Sequence, residues 1–139
     1  MGADHAGYEL KDALADHIRG RGFEVLDLGT NSPDSVDYPD FGVAVGRAVA
    51  GGEADLGVCV CGSGIGICMA ADKIHGVRAG TVHDETSARL ARQHNDANVI
   101  CLGARLTGPA VATAAVDAWL DAEFEGGRHS RRTGKLDEL

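Results

Sequence analysis

Residues 58–68 are Val58-Cys59-Val60-Cys61-Gly62-Ser63-Gly64-Ile65-Gly66-Ile67-Cys68. Small or β-branched apolar residues fill positions 56–60, three glycines spaced two apart follow, and positions 67–73 have a helical pattern. An apolar run that ends in glycines is typical of a buried strand followed by a turn. The sequence therefore predicts a strand, a tight turn and the N-terminus of a helix.

This glycine-rich turn is suited to stabilising negative charge, because glycines bring backbone N–H groups close to a ligand and a helix N-terminus adds a positive dipole end. The turn also holds Cys61 and Ser63, and a thiol at such a place can have its pKa lowered enough to act as a base or nucleophile. Its spacing fits neither a P-loop nor GxGxxG. A simple turn with a buried cysteine is an equally good interpretation.

The composition indicates one α/β domain over residues 1–139. The chain is 44% hydrophobic but only 4% aromatic, and it contains 20 glycines. A domain of this size needs neither a disulfide nor a metal to fold. The net charge of −8 argues against nucleic acid or an anionic membrane as a partner.

Cysteine usage and hydropathy favour a cytoplasmic protein. No apolar run approaches a membrane span, and the start does not have the pattern of a signal peptide. The four cysteines form no zinc-type CxxC pair, which fits a reducing compartment, and Cys59 is predicted to lie in the core.

Strands and helices are predicted to alternate, which indicates a parallel sheet of about five strands with helices on both faces. Residues 6–21 are predicted to form an amphipathic helix with its charges on the outer faces, and Asp84 is predicted to cap a later helix. The other predicted strands are 23–29, 77–82 and 98–103, and the other predicted helices begin at Tyr38-Pro39 and at 109.

Polar side chains are expected where strands end, because ligands of such sheets bind at the carboxyl ends of the strands. Several of these residues also have a purely structural interpretation. Asp4 could be a helix N-cap, Tyr38 could hold the turn before its helix in place, and His94 and Asn95 could be an ordinary helix end. The candidates expected at this edge are Asp4, Cys61, Ser63, His83, His94, Asn95 and Arg105.

The tail, residues 128–135, concentrates basic side chains in an otherwise acidic protein. Arg128 and Arg132 are four positions apart, so they would share one helical face. The tail is either an anion clamp or a solvated, self-neutralising segment.

Six motifs together resemble ribose-5-phosphate isomerase type B and the related galactose-6-phosphate isomerase subunits. In order and with matching gaps, they are Asp4-His5-Ala6-Gly7, Val36-Asp37-Tyr38-Pro39-Asp40, Cys61-Gly62-Ser63-Gly64-Ile65-Gly66, Arg92-Gln93-His94-Asn95-Asp96-Ala97-Asn98-Val99, Leu102-Gly103-Ala104-Arg105 and Phe124-Glu125-Gly126-Gly127-Arg128-His129. This resemblance covers essentially the whole chain.

The resemblance implies a Rossmann-like three-layer fold with a C-terminal helical tail and an aldose–ketose isomerase that uses no cofactor. It also implies a phosphorylated sugar as substrate, and a homodimer or dimer of dimers whose sites are shared between subunits. Residues 126–139 would pack on the partner subunit. No metal is expected, since the six histidines show no HExxH-type spacing.

The resemblance also implies the roles of individual residues. Cys61 would be the base that moves a proton between C1 and C2, in place of a glutamate that other members carry at the position of Ile67. Ser63 and the turn amides of Gly62, Gly64 and Gly66 would hold the enediolate oxygens. His94 with Asp4 would open the sugar ring. His5, Arg128 and Arg132, with Arg105 from a neighbouring subunit, would bind the phosphate, and Tyr38 and Asn95 would line the sugar site.

Family members usually begin with a strand before the Asp4-His5 motif, and here only Met1, Gly2 and Ala3 precede it. Either the start is misplaced and Met1 is an internal residue of this strand, or the strand is shortened. Alternative functions are an isomerase of a six-carbon sugar phosphate or of an unphosphorylated aldose, and a non-catalytic phosphosugar-binding module. A thiol redox protein is disfavoured, because side chains at i and i+2 of a strand make a poor disulfide.

Overall fold

The computed structural model describes all 139 residues and contains a four-stranded parallel sheet in the order β1-β2-β4-β3. Six helices connect or follow the strands. In chain order the elements are β1 (Gly2–Ala3), α1 (Tyr8–Gly20), α2 (Tyr38–Ala50), β2 (Gly57–Cys61), α3 (Ile65–Ala71), β3 (Ala79–Thr81), α4 (Glu85–Asn95), β4 (Val99–Gly103), α5 (Pro109–Asp121) and α6 (Arg128–Asp137).

The centre of the sheet is the pair β2 and β4, whose residues are all buried. The pair runs in register from Gly57 opposite Val99 to Cys61 opposite Gly103. Because every pairing is parallel, all four strands end at one edge, here called the carboxyl edge, and begin at the opposite amino edge.

Each face of the sheet has its own core, because successive strand residues point to opposite faces. Val58 and Val60 pack with side chains of α1 and α5, including Leu14, Val116 and Trp119. Cys59 and Cys61 pack on the other face, among residues of α2 and α3 such as Val45 and Ile67. The predicted α/β sandwich is therefore confirmed, as is Cys59 in the core.

The strand predicted over residues 23–29 is wrong, so the sheet has four strands rather than about five. Its backbone bonds mainly to the first three residues of the chain, through Leu28 N to Met1 O (2.8 Å) and Ala3 N to Gly29 O (2.6 Å). Gly29 then takes a positive φ of 88°. Because β1 is only two residues long, residues 23–29 cannot form a regular series of strand hydrogen bonds with it.

β1 pairs only with Cys59 and Val60, so Gly57 and Val58 have no partner on that side. A cavity of about 470 Å³ lies next to this gap. It is lined mainly by apolar side chains, among them Val25, Leu56 and Trp119.

Lys11 contradicts the expectation that the charges of the first helix face solvent. Its side chain is 0% exposed, and Nζ donates to both oxygens of Asp27 (2.7 Å each) and to Asn31 Oδ1 (2.8 Å). A further ion pair at 2.9 Å joins Lys11 to Asp12. The buried ammonium is therefore neutralised by carboxylates, and it ties α1 to the segment after it.

Two helix predictions are confirmed in detail. α2 begins at Tyr38 with Pro39 in its first turn, and Asp84 caps α4 by accepting a hydrogen bond from Ser87 N at 2.7 Å. None of the six helices has the length and apolar character needed to cross a membrane.

Candidate active site

The glycine-rich turn leaves β2 at the carboxyl edge and leads into α3. Gly64 has a φ of 77°, and a Cβ placed there would lie 2.8 Å from the carbonyl carbon of Leu102. Gly103 is packed as closely, because its Cβ would lie 2.6 Å from backbone atoms of Ser63. Both positions require glycine, so the turn is held rigidly against the end of β4.

Cys61 is the last residue of β2, and its residue surface is 3% exposed. Its sulfur accepts a hydrogen bond from the backbone N–H of Gly64 at 3.1 Å. Ser63 Oγ accepts one from Ile65 N at 3.3 Å. Two backbone N–H groups of the turn are therefore engaged by the side chains of Cys61 and Ser63.

Asp4 and His5 follow β1 at the same edge. Ala3 pairs with Val60, so the next residues of the two strands, Asp4 and Cys61, are neighbours. Asp4 is buried, and its Oδ1 accepts hydrogen bonds from Ala6 N (2.9 Å) and Gly7 N (3.0 Å). The cap of α1 is Gly7 rather than Asp4. His5 Nδ1 lies 3.2 Å from both the N and O atoms of Val36.

Tyr38 and Arg105 border the turn from two sides. A Cβ on Gly66 would lie 2.6 Å from the Tyr38 ring, so the ring packs directly on the first turn of α3. A Cβ on Gly62 would lie 3.1 Å from Nη1 of Arg105. The guanidinium of this chain's own Arg105 therefore lies beside its own glycine-rich turn, although the resemblance implied that this arginine comes from a neighbour.

His94 and Asn95 do not lie at the carboxyl edge, so that expectation is wrong. α4 starts beyond the end of β3 and runs back, and Arg78, just before β3, donates from Nε to the backbone oxygen of Asn95 at 3.2 Å. β2 spans five residues, so at about 3.3 Å per residue the two edges lie about 13 Å apart. The expected site residues thus form two groups at opposite edges of one chain.

His94 belongs to a cluster with Glu125 and His129. The rings of His94 and His129 stack with centroids 4.3 Å apart and an angle of 8°. Glu125 Oε2 lies 3.9 Å from His94 Nε2 and 3.7 Å from His129 Nε2. Burial lowers the pKa of His129, and the charges of His94 and Arg128 lower it further. The stack therefore favours the neutral form of the His129 ring.

Arg128 and Arg132 lie on α6 at the same edge as His94. Both are exposed, and neither forms an ion pair with a carboxylate of the chain. Because α6 is helical over Arg128–Asp137, the two arginines share one face, as predicted from their spacing. Free guanidinium groups on one face are suited to holding an anion.

The chain is similar to known proteins along almost its entire length. A family model described as Ribose/Galactose Isomerase matches residues 1–136. The chain belongs to the ribose/galactose isomerase family. Ribose-5-phosphate isomerase B of Escherichia coli (strain K12) is 49% identical over 132 residues, which cover 95% of this chain and 89% of that protein.

Two solved structures resemble this ribose/galactose isomerase along almost its entire length. Ribose-5-phosphate isomerase B of Clostridium thermocellum has a TM-score of 0.97 and 51% identity, and it covers 99% of this chain and 93% of its own. Ribose-5-phosphate isomerase B of Mycoplasma genitalium with bound ribulose-5-phosphate has a TM-score of 0.94 and 45% identity, covering 99% and 91%. The family predicted from the six motifs is therefore confirmed.

The remaining thiols of this ribose/galactose isomerase are buried and free, as is Cys61. A hydrogen bond with Cys101, outweighing the opposing effect of burial, lowers the pKa of Cys68 to about 7. Burial raises the pKa of Cys101. Cys68 and Cys101 lie in the core between the sheet and helices α2 and α3, and not at the surface of the glycine-rich turn.

The cluster contains two residues, Glu125 and His129, to which the sequence analysis gave no role. Both belong to the sixth motif, which was the available signal. Their spacing from His94 in sequence has no recognisable pattern, because the contact forms only when α6 folds back on α4.

Proposed function

We propose that the chain interconverts ribose 5-phosphate and ribulose 5-phosphate by proton transfer between C1 and C2. The observation that carries this proposal is Cys61, a thiol at the carboxyl edge with the Gly64 N–H directed at its sulfur at 3.1 Å. The bound ribulose-5-phosphate of the Mycoplasma genitalium relative supports the choice of substrate.

The thiolate of Cys61 removes the proton from C2 of the open-chain aldose. The C2–H electrons form the C1=C2 bond, and the carbonyl oxygen at C1 becomes the oxyanion of an enediolate. As the thiol returns its proton to C1, the proton of the C2 hydroxyl passes to the oxyanion at C1, so that a carbonyl forms at C2, a hydroxyl forms at C1 and the ketose is complete. Ser63 and the N–H groups of Gly62, Gly64 and Gly66 stabilise the charge that develops on the oxygens.

Ile67, at the position where other family members carry a glutamate, is 0% exposed and packs in the core. No carboxylate replaces Cys61 there. The proton transfer in this chain therefore depends on the thiol of Cys61. The ordinary pKa of a thiol is closer to neutral pH than that of a serine hydroxyl, which makes it the better base.

Ring opening and phosphate binding use residues of both groups. His94, with Asp4, transfers the proton that opens the furanose ring. Arg128 and Arg132, with His5 and Arg105, bind the phosphate through charged hydrogen bonds. Tyr38 and Asn95 line the sugar site.

The two groups meet only if a second copy brings its amino edge to the carboxyl edge of the first. A two-fold dimer does this twice, because each partner supplies the group that the other needs. Three apolar side chains around the turn support such a contact: Ile65 is 49% exposed, and Met69 and Leu106 are each 63% exposed. We infer a homodimer or a dimer of dimers, with residues 126–139 packed on the partner.

The compartment follows from the thiols. All four cysteines are unpaired, and a thiol base must stay reduced to accept a proton. A reducing compartment preserves such thiols, so we infer a cytoplasmic enzyme.

The test is ketose formation from ribose 5-phosphate in buffer treated with a chelator. Galactose 6-phosphate and unphosphorylated ribose serve as comparison substrates at the same concentrations. We expect the highest kcat/KM with ribose 5-phosphate. Tight binding of ribose 5-phosphate without turnover would instead favour a phosphosugar-binding module, and faster turnover of the six-carbon phosphate would move the assignment to that substrate.

A further inference from the structure

Three metal-binding side chains converge at the amino edge of the sheet. His94 lies in the last turn of α4, Glu125 in the connection that follows α5, and His129 in the first turn of α6. One ligand atom of each lies within 4.8 Å of the other two. Their only ion pairs are with one another. Ligand atoms from three parts of the chain are thus available at one point.

The backbone holds this cluster in place. Glu125 N donates to Gln93 O at 3.0 Å, which ties the connection to the end of α4. Gly126 and Gly127 have positive φ values of 63° and 57°, and they reverse the chain so that α6 returns to α4. The ring of His129 is nearly parallel to that of His94. The backbone therefore holds all three ligands close together before any ion binds, which lowers the entropy cost of binding, and only the rings have to turn.

The donor set fits zinc better than a hard cation. Two imidazoles and one carboxylate, with a fourth position left open, are a common set of Zn²⁺ ligands, whereas Mg²⁺ and Ca²⁺ prefer oxygen ligands alone. Tetrahedral ligand atoms at about 2.1 Å from Zn²⁺ lie about 3.4 Å apart. The two imidazole–carboxylate separations, 3.9 and 3.7 Å, exceed this value by a few tenths of an ångström. The stacked rings must also turn out of their parallel arrangement, so that both lone pairs point at one ion.

Charges near the cluster set the strength of binding. Glu125 contributes a negative charge, while Arg128 lies beside His129 in the same turn and repels a cation. An ion at this place therefore gains one charged ligand and meets one opposing guanidinium. We expect an affinity lower than that of a structural zinc site.

We propose that His94, Glu125 and His129 bind one Zn²⁺ ion per chain and that the bound ion inhibits the isomerase reversibly. The inhibition rests on the proposed function, in which His94 opens the sugar ring. A ring nitrogen that donates its lone pair to zinc accepts no proton from the substrate. The proton transfer at Cys61 uses no metal, so the ion acts as an inhibitor rather than as a cofactor.

The binding test is a titration of chelator-treated protein with Co²⁺, followed by displacement of Co²⁺ with Zn²⁺, which binds more tightly to most such sites. Parent, Glu125→Gln and the matched control Glu123→Gln are compared, since Glu123 is an exposed carboxylate outside the cluster. We expect one site in the parent and in Glu123→Gln, and an affinity about tenfold or more lower in Glu125→Gln.

The absorption spectrum separates this site from the thiols. Cobalt bound by two imidazoles and a carboxylate shows d–d bands without a sulfur-to-metal charge-transfer band. A charge-transfer band that disappears in Cys61→Ser would place the ion on the thiol and overturn the proposal. Equal affinities in all three proteins would overturn it as well.

The inhibition test adds Zn²⁺ to the same three proteins during turnover of ribose 5-phosphate. Parent and Glu123→Gln should lose activity and regain it with EDTA, and Glu125→Gln should need about tenfold or more Zn²⁺ for the same loss. Binding without any change in rate would overturn the inhibitory part. A parent that is inactive before zinc is added would refute the proposed function, while the cobalt titration would still decide the metal site.

Discussion

The backbone N–H of Gly64 donates a hydrogen bond to the sulfur of Cys61 across 3.1 Å. The donor lies three positions after the acceptor, in the turn that follows β2. Gly64 has a left-handed φ of 77° and is packed against the end of β4, which fixes the position of the turn. The turn therefore holds a backbone donor at the sulfur that the proposed mechanism uses as its base.

Cys61→Ser is expected to lower kcat for ribose 5-phosphate by about 10²-fold or more, because a hydroxyl is a far weaker base at neutral pH. Circular dichroism and thermal melting should show an unchanged fold. The control is Cys59→Ala, two positions earlier on β2, which should cost about 1 kcal/mol of stability and keep most of the activity. Comparable losses of kcat in both variants would contradict the role of Cys61 as base.

His94→Asn tests ring opening with two substrates. Ribose 5-phosphate closes to a furanose, whereas erythrose 4-phosphate has its terminal oxygen esterified and cannot close a five-membered ring. We expect the variant to lose about 10²-fold or more with ribose 5-phosphate and much less with the acyclic sugar. His75→Asn, an exposed histidine before β3, is the control. Equal losses with both sugars would show that His94 acts elsewhere.

Mixing two inactive variants tests the shared site. In the proposed dimer, Cys61→Ser and His94→Asn disable different halves, so a hybrid dimer has one site with both defects and one intact site. Refolding the two chains together at equal amounts should restore roughly a quarter of the parent activity, since half of the dimers are hybrids with one active site each. If mass spectrometry confirms hybrids and no activity returns, one chain contains its own complete site.

The exposed arginines of α6 are expected to bind the phosphate. Arg128→Ala and Arg132→Ala should each raise KM for ribose 5-phosphate about tenfold or more, since a hydrogen bond to a charged group is worth about 1.5–3 kcal/mol. Arg131→Ala, on the neighbouring face of the helix, should have little effect. The differences should vanish with unphosphorylated ribose. A rise in KM for both sugars would indicate a general effect on the site instead.

The buried Lys11 makes stability depend on Asp27. Burial works to raise the pKa of Asp27, but hydrogen bonds from Lys11 and Gly29 N outweigh it, so the pKa lies below its ordinary value. A lowered pKa in the folded state stabilises the protein above the ordinary pKa, and this stability is lost as the pH falls through the folded value. Asp27→Asn should therefore cost about 1–2 kcal/mol at pH 7.

Urea unfolding of parent and Asp27→Asn at several pH values measures this effect. The difference should stay constant at neutral pH and shrink below about pH 4, where the carboxylate becomes protonated. Asp16→Asn removes an exposed ion pair with Arg19 and should change stability by less than about 0.5 kcal/mol. A difference between parent and Asp27→Asn that does not change with pH would rule out the ion pair as its source.

Local signals predicted most of the fold. The strand before Cys61, the glycine-rich turn and the capped helix after Asp84 all follow from residues close together in sequence. The strand prediction for residues 23–29 was wrong because alternation of apolar and polar residues indicates only an extended backbone. Whether such a segment forms a strand depends on the length of the strand beside it. The prediction that Lys11 faces solvent was wrong for a similar reason, since its ion-pair partner Asp27 lies on a different segment of the chain.

The sequence predicted which edge of the sheet some candidate residues occupy, but not how all of them are arranged. Cys61 ends β2, Ser63 lies in the turn after it and Asp4 follows β1, so counting to the strand end places these three at the carboxyl edge. His94 and Asn95 end a helix of 11 residues, which at 1.5 Å per residue returns the chain by about 16 Å to the opposite edge. Glu125 and His129 join them only through the reversal at Gly126 and Gly127.

Each chain contains a complete hydrophobic core, with Trp119, Leu14 and Ile67 buried by its own helices, while the candidate site residues lie at opposite edges. In the proposed dimer, folding and catalytic competence therefore separate in time. During refolding, the tertiary signal of Trp119 should appear at a rate independent of protein concentration. Activity of the proposed dimer should return in a second-order process that becomes faster as the concentration rises, because each site forms only when two folded chains associate.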